Sequence, residues 1–285
     1  MNKEKQMENI TLRGVQANTE KENYSRIVIN EHFGMFYNGG KDRLNFMQEG
    51  QVYRVHEGRI VIVTEGSFDT SLDLEDYHLE KGDVILIAPD TIQEMKRSSD
   101  DFDMIVFSFS EEVVLEENQV LHTNSSQWRE ILQLTDMLWA LAQNKPFRKK
   151  TILSLVTTII NNVEETIHAN NQDNKEKKIS SNEMLLSRFK KLVSKSCDHE
   201  RTVGFYAEQL YLTPNHLSAV ISKTSGKTVM QWINRAVILK AKVLLMTTEL
   251  KTYEVADRLN FPDHATFSKF FKRETGMTPK EYMMG

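Results

Sequence analysis

The sequence is poor in cysteine and proline. It contains one cysteine, Cys197, and five prolines in 285 residues. A single cysteine excludes an intramolecular disulfide framework and a zinc site built from several cysteines, which agrees with a reducing compartment. No apolar run approaches the roughly 18 to 20 residues of a membrane span, and the polar start MNKEKQMENITLRG lacks the apolar stretch of a secretory signal. We therefore expect a soluble, cytoplasmic protein.

The chain has no large surplus of either charge sign, since its formal net charge is −4. The charge is unevenly distributed, however. Residues 1–178 hold 20 Lys and Arg against 30 Asp and Glu, whereas residues 179–285 hold 16 basic against 10 acidic residues. The opposite signs predict an acidic domain joined to a domain that meets a polyanion.

Short apolar runs separated by glycine and aspartate fill the first part of the chain, from Arg26 to about Phe109. They are RIVIN, HFGMFYNGG, RLNFM, GRIVIVTEG, SLDL, GDVILIAP and DMIVFSF. Their alternation and their content of Val, Ile and Phe predict a compact antiparallel sandwich or barrel, closed inside by side chains. Pro89 ends the GDVILIA strand, because proline cannot donate to a β-ladder.

The hydrophobic period changes to that of helices after Ser125. Apolar residues three and four apart in SQWREILQLTDMLWALAQN, and after Pro146 in FRKKTILSLVTTIINNVEETIH, predict two helices. Both are too apolar to stand alone. They pack on the barrel within the chain or form a homodimer interface, and we favour the dimer.

The C-terminal part contains an internal repeat with a period of about 50 residues. YAEQLYL (206–212) aligns with VADRLNF (255–261), and HLSAVISKTSGKT (216–228) aligns with TFSKFFKRETGMT (266–278). Each copy predicts a short helix, a tight turn, a second helix and a glycine stop, with one extra residue in the second turn. This pattern is a helix-turn-helix written twice.

N-caps fix where each second helix begins. Thr213 followed by proline caps the first, and Asp263 caps the other. Spacing at i, i+3, i+4 then predicts which side chains are buried: Leu217, Val220 and Ile221 in the first copy, and Phe267, Phe270 and Phe271 in the second. The phenylalanines are therefore core residues and not a platform for stacking bases, although aromatic and basic residues alternate densely there.

The opposite faces of the second helices carry small polar and basic side chains that fit a major groove and can meet base edges or phosphates. We predict that DNA is bound by Asn215, Ser218, Ala219, Ser222, Lys223, Ala265, Thr266, Ser268, Lys269, Lys272 and Arg273. A helix of some 20 residues between the copies would span roughly 30 Å, close to the roughly 34 Å between successive major-groove turns on one face of DNA.

Residues 201–282 resemble the DNA-binding domain of the AraC/XylS family of bacterial transcription regulators. The second unit of that family carries F-S-x-x-F-K, a glycine, T-P and a tyrosine, and this chain has ATFSKFFKRETGMTPKEY. Asn260 stands where the family usually has glycine, and asparagine tolerates the left-handed conformation better than most residues. The resemblance implies a transcription regulator, more often an activator than a repressor, that places RNA polymerase beside the bound module.

The acidic half resembles, more weakly, the cupin-like sensor barrel of the same family, because GDVILIAP has its glycine-aspartate strand and proline. Gln93 stands where metal-binding cupins have a histidine, and His32, His56 and His78 are scattered. We therefore expect no metal, no cofactor and no catalytic residue, and the ligand-binding residues stay unknown. The alternative is a cupin-type enzyme fused to a DNA-binding tail. Alkyl transfer to Cys197 is disfavoured, because its acidic neighbours raise a thiol pKa.

Taken together, these patterns predict an α+β multidomain protein: a cupin-like β-barrel, then helices, then an all-α domain with two helix-turn-helix units joined by a long helix. The predicted boundaries are a mobile arm at 1–22, the barrel at 23–115, a helical dimerisation segment at 120–170, a linker at 171–180, and the DNA-binding domain at 181–285 with its units at about 203–225 and 252–275. The expected partners are promoter DNA, RNA polymerase, a small-molecule effector and a second copy of the chain.

Overall fold

The computed structural model describes residues 26–38, 49–173, 180–247 and 250–284. The chain divides near residue 175 into two compact units. Within the described ranges the first unit holds ten strands followed by two helices, and the second holds seven helices. The predicted arm at 1–22, most of the predicted linker at 171–180 and the strand predicted at RLNFM lie outside the described residues.

The strands of the first unit are short and antiparallel. Their bounds are β1 Ile27–Ile29, β2 Phe33–Asn38, β3 Val52–Val55, β4 Gly58–Glu65, β5 Ser67–Leu72, β6 Glu75–Glu80, β7 Asp83–Ile87, β8 Thr91–Ser98, β9 Asp103–Phe109 and β10 Gln119–His122. They form a six-stranded sheet in the order β1-β2-β9-β4-β7-β10 and a four-stranded sheet in the order β3-β8-β5-β6.

Strand β4 shows why both faces of the larger sheet are apolar. Ile60 and Ile62 belong to a core cluster that the two following helices cover, whereas Val61 and Val63 belong to the cluster between the sheets. Successive side chains of a strand point to opposite faces, so a strand that is covered on both sides reads as a continuous apolar run. Each fully buried Val or Ile contributes about 1.5–3 kcal/mol through the hydrophobic effect.

Four strands were missed by the sequence analysis: β3, β6, β8 and β10. Strand β8, with the sequence TIQEMKRS, alternates buried and partly buried side chains over its first five residues, but two of the buried ones, Thr91 and Gln93, are polar and hide the pattern of a half-buried strand. Strand β10 pairs with β7 and lies beyond residue 115, where the barrel was predicted to end. The strand predicted at SLDL is displaced: β5 begins earlier, at Ser67, and ends at Leu72, because the chain turns at Asp73, whose φ is +52°.

The two helices that follow are α1, Ser125–Ala142, and α2, Lys149–Asp173. Asn124 caps α1 by accepting hydrogen bonds from two backbone N–H groups of the first turn. Buried side chains of both helices, such as Ile131, Leu138 and Val156, share one cluster with the outer face of the six-stranded sheet. Much of the apolar surface that suggested a dimer is therefore covered within the chain.

The second unit consists of helices alone in its described part. They are α3 Ser181–Ser196, α4 Val203–Gln209, α5 Pro214–Ser225, α6 Val229–Thr247, α7 Thr252–Arg258, α8 His264–Thr275 and α9 Pro279–Met284. The predicted fold class, with a long helix joining two helix-turn-helix units, is confirmed. Among the described residues of the chain, no helix is both long and apolar enough to span a membrane.

Candidate nucleic-acid interface

Helices α4 and α5 form the first helix-turn-helix unit, and α7 and α8 form the second. The two units begin their second helices in the same way. The Thr213 hydroxyl accepts a hydrogen bond from the backbone N–H of His216, at 3.2 Å, and the Asp263 carboxylate accepts one from that of Thr266, at 2.7 Å. Both predicted N-caps are confirmed, and each satisfies a donor that the first helical turn leaves open.

The helices also end alike. Gly226 closes α5 with φ of +69°, and Gly276 closes α8 with φ of +81°, so both glycines are the left-handed C-caps that the repeat predicted. One residue before each glycine, a hydroxyl donates to the carbonyl four residues back: Ser225 to Ile221 at 2.7 Å, and Thr275 to Phe271 at 2.8 Å. The repeat in the sequence is thus a repeat in hydrogen bonding.

The turn between the helices is the third shared feature. Asn260 has φ of +52°, as expected for an asparagine in place of glycine. The residue aligned with it in the first unit, Tyr211, has φ of +59°. This conformation was not predicted for Tyr211, although the repeat aligns it with Asn260.

The inner faces of α5 and α8 are packed almost as predicted. Leu217, Ile221, Phe267 and Phe271 are fully buried, and Val220 is nearly so. Phe270 is the exception, because it is half-buried. Its ring lies 5.2 Å from that of Phe261, while the guanidinium of Arg273 lies 5.3 Å from its outer face. The prediction that Phe270 is a core residue was therefore wrong in part.

The outward face of α5 is mostly uncharged. Of its predicted DNA-binding residues, Asn215, Ala219, Ser222 and Lys223 are exposed and Ser218 is half-buried. His216 is exposed beside them in the first turn, and the sequence analysis missed it. Its position three residues after the cap could have indicated it, since the first turn of a recognition helix contacts base edges.

The outward face of α8 is basic and more strongly bonded within itself. Ala265, Thr266, Lys269, Lys272 and Arg273 are exposed, and Ser268 is half-buried. The Thr266 hydroxyl donates to the Asp263 carboxylate at 2.9 Å. These bonds lower the pKa of Asp263, mainly through the backbone N–H of Thr266 and then through its hydroxyl.

Two further contacts engage polar groups of α8. The Ser268 hydroxyl lies 3.4 Å from the ring of His264, an exposed histidine that the sequence analysis also missed. The Arg273 guanidinium pairs with Glu274 at 2.7 Å. Lys269 and Lys272 have no hydrogen bond or ion pair with any residue that the structure describes, so their ammonium groups can meet phosphates or bases.

The first helix-turn-helix unit is tied to the second helix-turn-helix unit by Arg201, which precedes α4. Its guanidinium donates a hydrogen bond to the carbonyl of Leu259, at the end of α7, and lies 3.9 Å from the ring centre of Phe261. Burial lowers the pKa of Arg201, while Cys197, Tyr206 and Asp198 favour its charged form to a smaller extent. Such a contact helps to fix α5 and α8 relative to each other.

Cys197 lies at the end of α3 and is fully buried. Burial raises the pKa of its thiol to about 11, and the nearby Asp198 adds a smaller increase. The predicted direction of the shift is correct, but its main cause is burial and not the acidic neighbours. A buried thiol with a raised pKa is a poor nucleophile.

The residues that suggested a cupin-like barrel lie in the N-terminal β-sheet unit. Gln93 is buried and donates a hydrogen bond to the Thr70 hydroxyl at 3.3 Å. His78 is exposed and bonded to Asp69 at 2.5 Å, while His32 and His56 pair with other carboxylates. Within the described residues, no three His, Cys, Asp or Glu side chains cluster so as to hold a metal ion.

One buried charged residue of the N-terminal β-sheet unit was not predicted from the sequence. Arg59, on β4, is 2% exposed and donates from Nε to the Ser108 hydroxyl at 3.1 Å. Burial lowers its pKa to about 10, and the nearby Glu57 partly opposes that shift. Its place in an apolar strand run gave no signal, because a lone arginine in such a run is usually exposed.

Fold and site together define a protein with an N-terminal β-sheet unit and two helix-turn-helix units, and comparison with known proteins gives the family. A helix-turn-helix domain model matches residues 206–284, and a model of the AraC-like ligand binding domain matches residues 45–151. The chain belongs to the AraC family of transcriptional regulators.

Individual relatives match about a third of the chain or less. The chain is 32% identical over 88 residues to the arabinose operon regulatory protein of Escherichia coli (strain K12), covering 31% of this chain and 30% of that protein. It is 32% identical over 79 residues to the HTH-type transcriptional activator RhaS of Escherichia coli (strain SE11), covering 28% of each. The matches to these curated relatives thus span about a third of their length or less. The solved structure of ToxT from Vibrio cholerae O395 superposes with a TM-score of 0.39 at 13% identity, covering 90% of this chain and 98% of that one.

Proposed function

We propose that this chain is a sequence-specific, DNA-binding transcription regulator whose N-terminal unit senses a small molecule or a partner. The observation that supports this most is the pair of capped helices, α5 and α8, which bury one face and expose small polar and basic side chains on the other. A helix of this kind fits the major groove, where Asn, Ser and Thr reach base edges and Lys and Arg reach guanine or phosphate.

Charge supports a nucleic-acid partner. Residues 179–285 hold 16 basic and 10 acidic side chains. Four of the basic ones lie on the proposed reading faces: Lys223, Lys269, Lys272 and Arg273. Because salt-dependent contacts to phosphates supply much of the affinity of such proteins, we expect binding to weaken steeply with ionic strength.

The sensor assignment rests on the first unit and on the family. The match to the AraC-like ligand binding domain covers residues 45–151, which include most of the two sheets. We infer that these residues bind an effector and that the bound state changes the affinity of the second unit for DNA. Such coupling requires the effector to bind the two states of the protein with different affinity.

Activation, contact with RNA polymerase, a cytoplasmic location and the absence of catalysis are parts of the same proposal. Activation is supported by the names of relatives that are transcriptional activators, and the other three parts rest on the family resemblance. A homodimer is also proposed. Its support is the outer face of α1, where the side chain of Met137 is exposed.

The proposal is tested by selecting duplexes from a randomised library with the purified full-length protein and then measuring binding to the enriched sequence. We expect one enriched motif that covers two adjacent major-groove segments, and affinity well above that for a scrambled duplex of the same composition. Enrichment of no sequence, or equal binding to the scrambled duplex, would refute sequence-specific recognition.

A further inference from the structure

Tyr211 lies in the turn between α4 and α5 and has two unusual properties at once. Its side chain is 91% exposed, and its backbone has φ of +59°. L-residues with a Cβ rarely adopt this left-handed conformation, which glycine, asparagine and aspartate tolerate best. A bulky aromatic residue is therefore an unfavourable choice for this position.

The turn itself does not require a tyrosine. In the second unit the same place is held by Asn260, with φ of +52°. The backbone bonds agree as well: the N–H of Tyr211 donates to Glu208 at 3.0 Å, and the N–H of Asn260 donates to Asp257 at 2.9 Å. Although the second turn is one residue longer, the shared conformation and backbone bond show that an asparagine can hold this position.

No contact with the described residues stabilises the tyrosine ring. Among the residues that the structure describes, its side chain has no hydrogen bond, ring contact or cation contact. Tyr206, five residues earlier, shows the ordinary arrangement, because it is buried and donates its hydroxyl to the carbonyl of Glu200 at 2.7 Å. An unfavourable backbone conformation that packing does not explain indicates a function outside the monomer.

The position of Tyr211 indicates what it binds. It lies two residues before Thr213, the N-cap of α5. In helix-turn-helix proteins the first turn of the second helix contacts base edges, while the first helix crosses the DNA backbone. The turn between them therefore lies beside a phosphate strand. Tyrosine hydroxyls are among the groups that bind phosphate oxygens and fix the register of a protein on DNA.

We propose that Tyr211 binds the sugar–phosphate backbone next to the groove that α5 enters, and that it positions α5 for base reading. This inference rests on the proposed DNA-binding function. The α5 face of the first helix-turn-helix unit is mostly uncharged, and Tyr211 would supply its contact with the DNA backbone. In the second helix-turn-helix unit, Lys269 and Lys272 would supply that contact.

The test uses the full-length protein and the duplex that the wild type enriches from a randomised library. We expect Tyr211→Asn to weaken binding about three- to tenfold, which is the worth of one hydrogen bond. The melting temperature should stay equal or rise, because asparagine suits the left-handed turn. The salt dependence of binding should not change, because a neutral hydroxyl displaces no counterion. Tyr211→Phe, which keeps the ring and the backbone, should weaken binding to a similar extent.

Wild-type affinity in Tyr211→Asn would overturn the proposal. If that variant also reduced transcription in vitro, the ring would be assigned to a protein partner instead of DNA. If Tyr211→Asn lowers the melting temperature, Tyr211→Phe decides, and wild-type affinity in that variant overturns the proposal. Failure of the wild type to enrich any duplex would refute DNA recognition as a whole, which distinguishes that failure from this one.

Discussion

The two helix-turn-helix units have nearly the same backbone but differ in the types of residue that they bury and expose. The first unit buries aliphatic residues and exposes Asn215, His216 and Ser222 on α5, whereas the second buries phenylalanines and exposes lysines on α8. Polar side chains that have no partner among the described residues are suited to reading bases, and ammonium groups are suited to phosphates. The difference suggests that α5 supplies more of the sequence discrimination and α8 more of the affinity.

The largest expected effect concerns the buried faces. Phe271→Ala should lower the free energy of unfolding of the second unit by about 3–5 kcal/mol, because it removes a fully buried ring and leaves a cavity. Phe270→Ala should cost clearly less, since that ring is half-buried beside Arg273. Chemical denaturation monitored by circular dichroism measures both. Equal losses in the two variants would show that Phe270 is a core residue after all.

The next effect concerns the exposed faces. Lys269→Ala should weaken binding to the selected duplex by about 1–3 kcal/mol if this lysine reads a base, and should lower the slope of log affinity against log salt by about 1 if it meets a phosphate. Lys150→Ala, which removes an exposed lysine on α2 of the N-terminal β-sheet unit, is the matched control. Unchanged affinity together with an unchanged slope would remove Lys269 from the interface.

The twin position of Lys269 is Ala219, which allows the converse experiment. Ala219→Lys places a cation on the mostly uncharged face of α5, so it should steepen the salt dependence and raise the affinity for a scrambled duplex. Discrimination between selected and scrambled duplexes should fall accordingly. A gain in discrimination would contradict the division of roles between α5 and α8.

Sequence reasoning succeeded where local chemistry determines structure. The caps at Thr213 and Asp263, the glycine stops and the left-handed Asn260 each depend on a few neighbouring residues, so their signals are complete within the sequence. It failed where long-range packing decides. The half-buried Phe270 and the buried Arg59 depend on residues brought together by the fold, and nothing in their immediate sequence indicates their degree of exposure.

The roles of the outward residues lie between these cases. Helical spacing identified the exposed faces of α5 and α8, but it could not show that Thr266 is bonded to Asp263 or that Arg273 is paired with Glu274. Those partners follow from rotamers chosen in the folded chain. The predicted DNA-binding set and the predicted domain boundaries therefore stay predictions.

The smallest effect distinguishes the two N-caps by their response to pH. Asp263 has a pKa lowered by hydrogen bonds that stabilise its charged form, so it stabilises the fold above the ordinary carboxyl pKa of about 4. That contribution is lost as pH falls through the folded-state pKa, because the protonated cap accepts these bonds less well. The hydroxyl of Thr213 does not titrate. Thr213→Ala should therefore cost about 0.5–2 kcal/mol at any pH, whereas Asp263→Ala should lower the melting temperature near pH 7 and have a progressively smaller effect as pH falls below the ordinary carboxyl pKa of about 4. A pH-independent cost for Asp263→Ala would mean that its carboxylate charge does not contribute to capping α8.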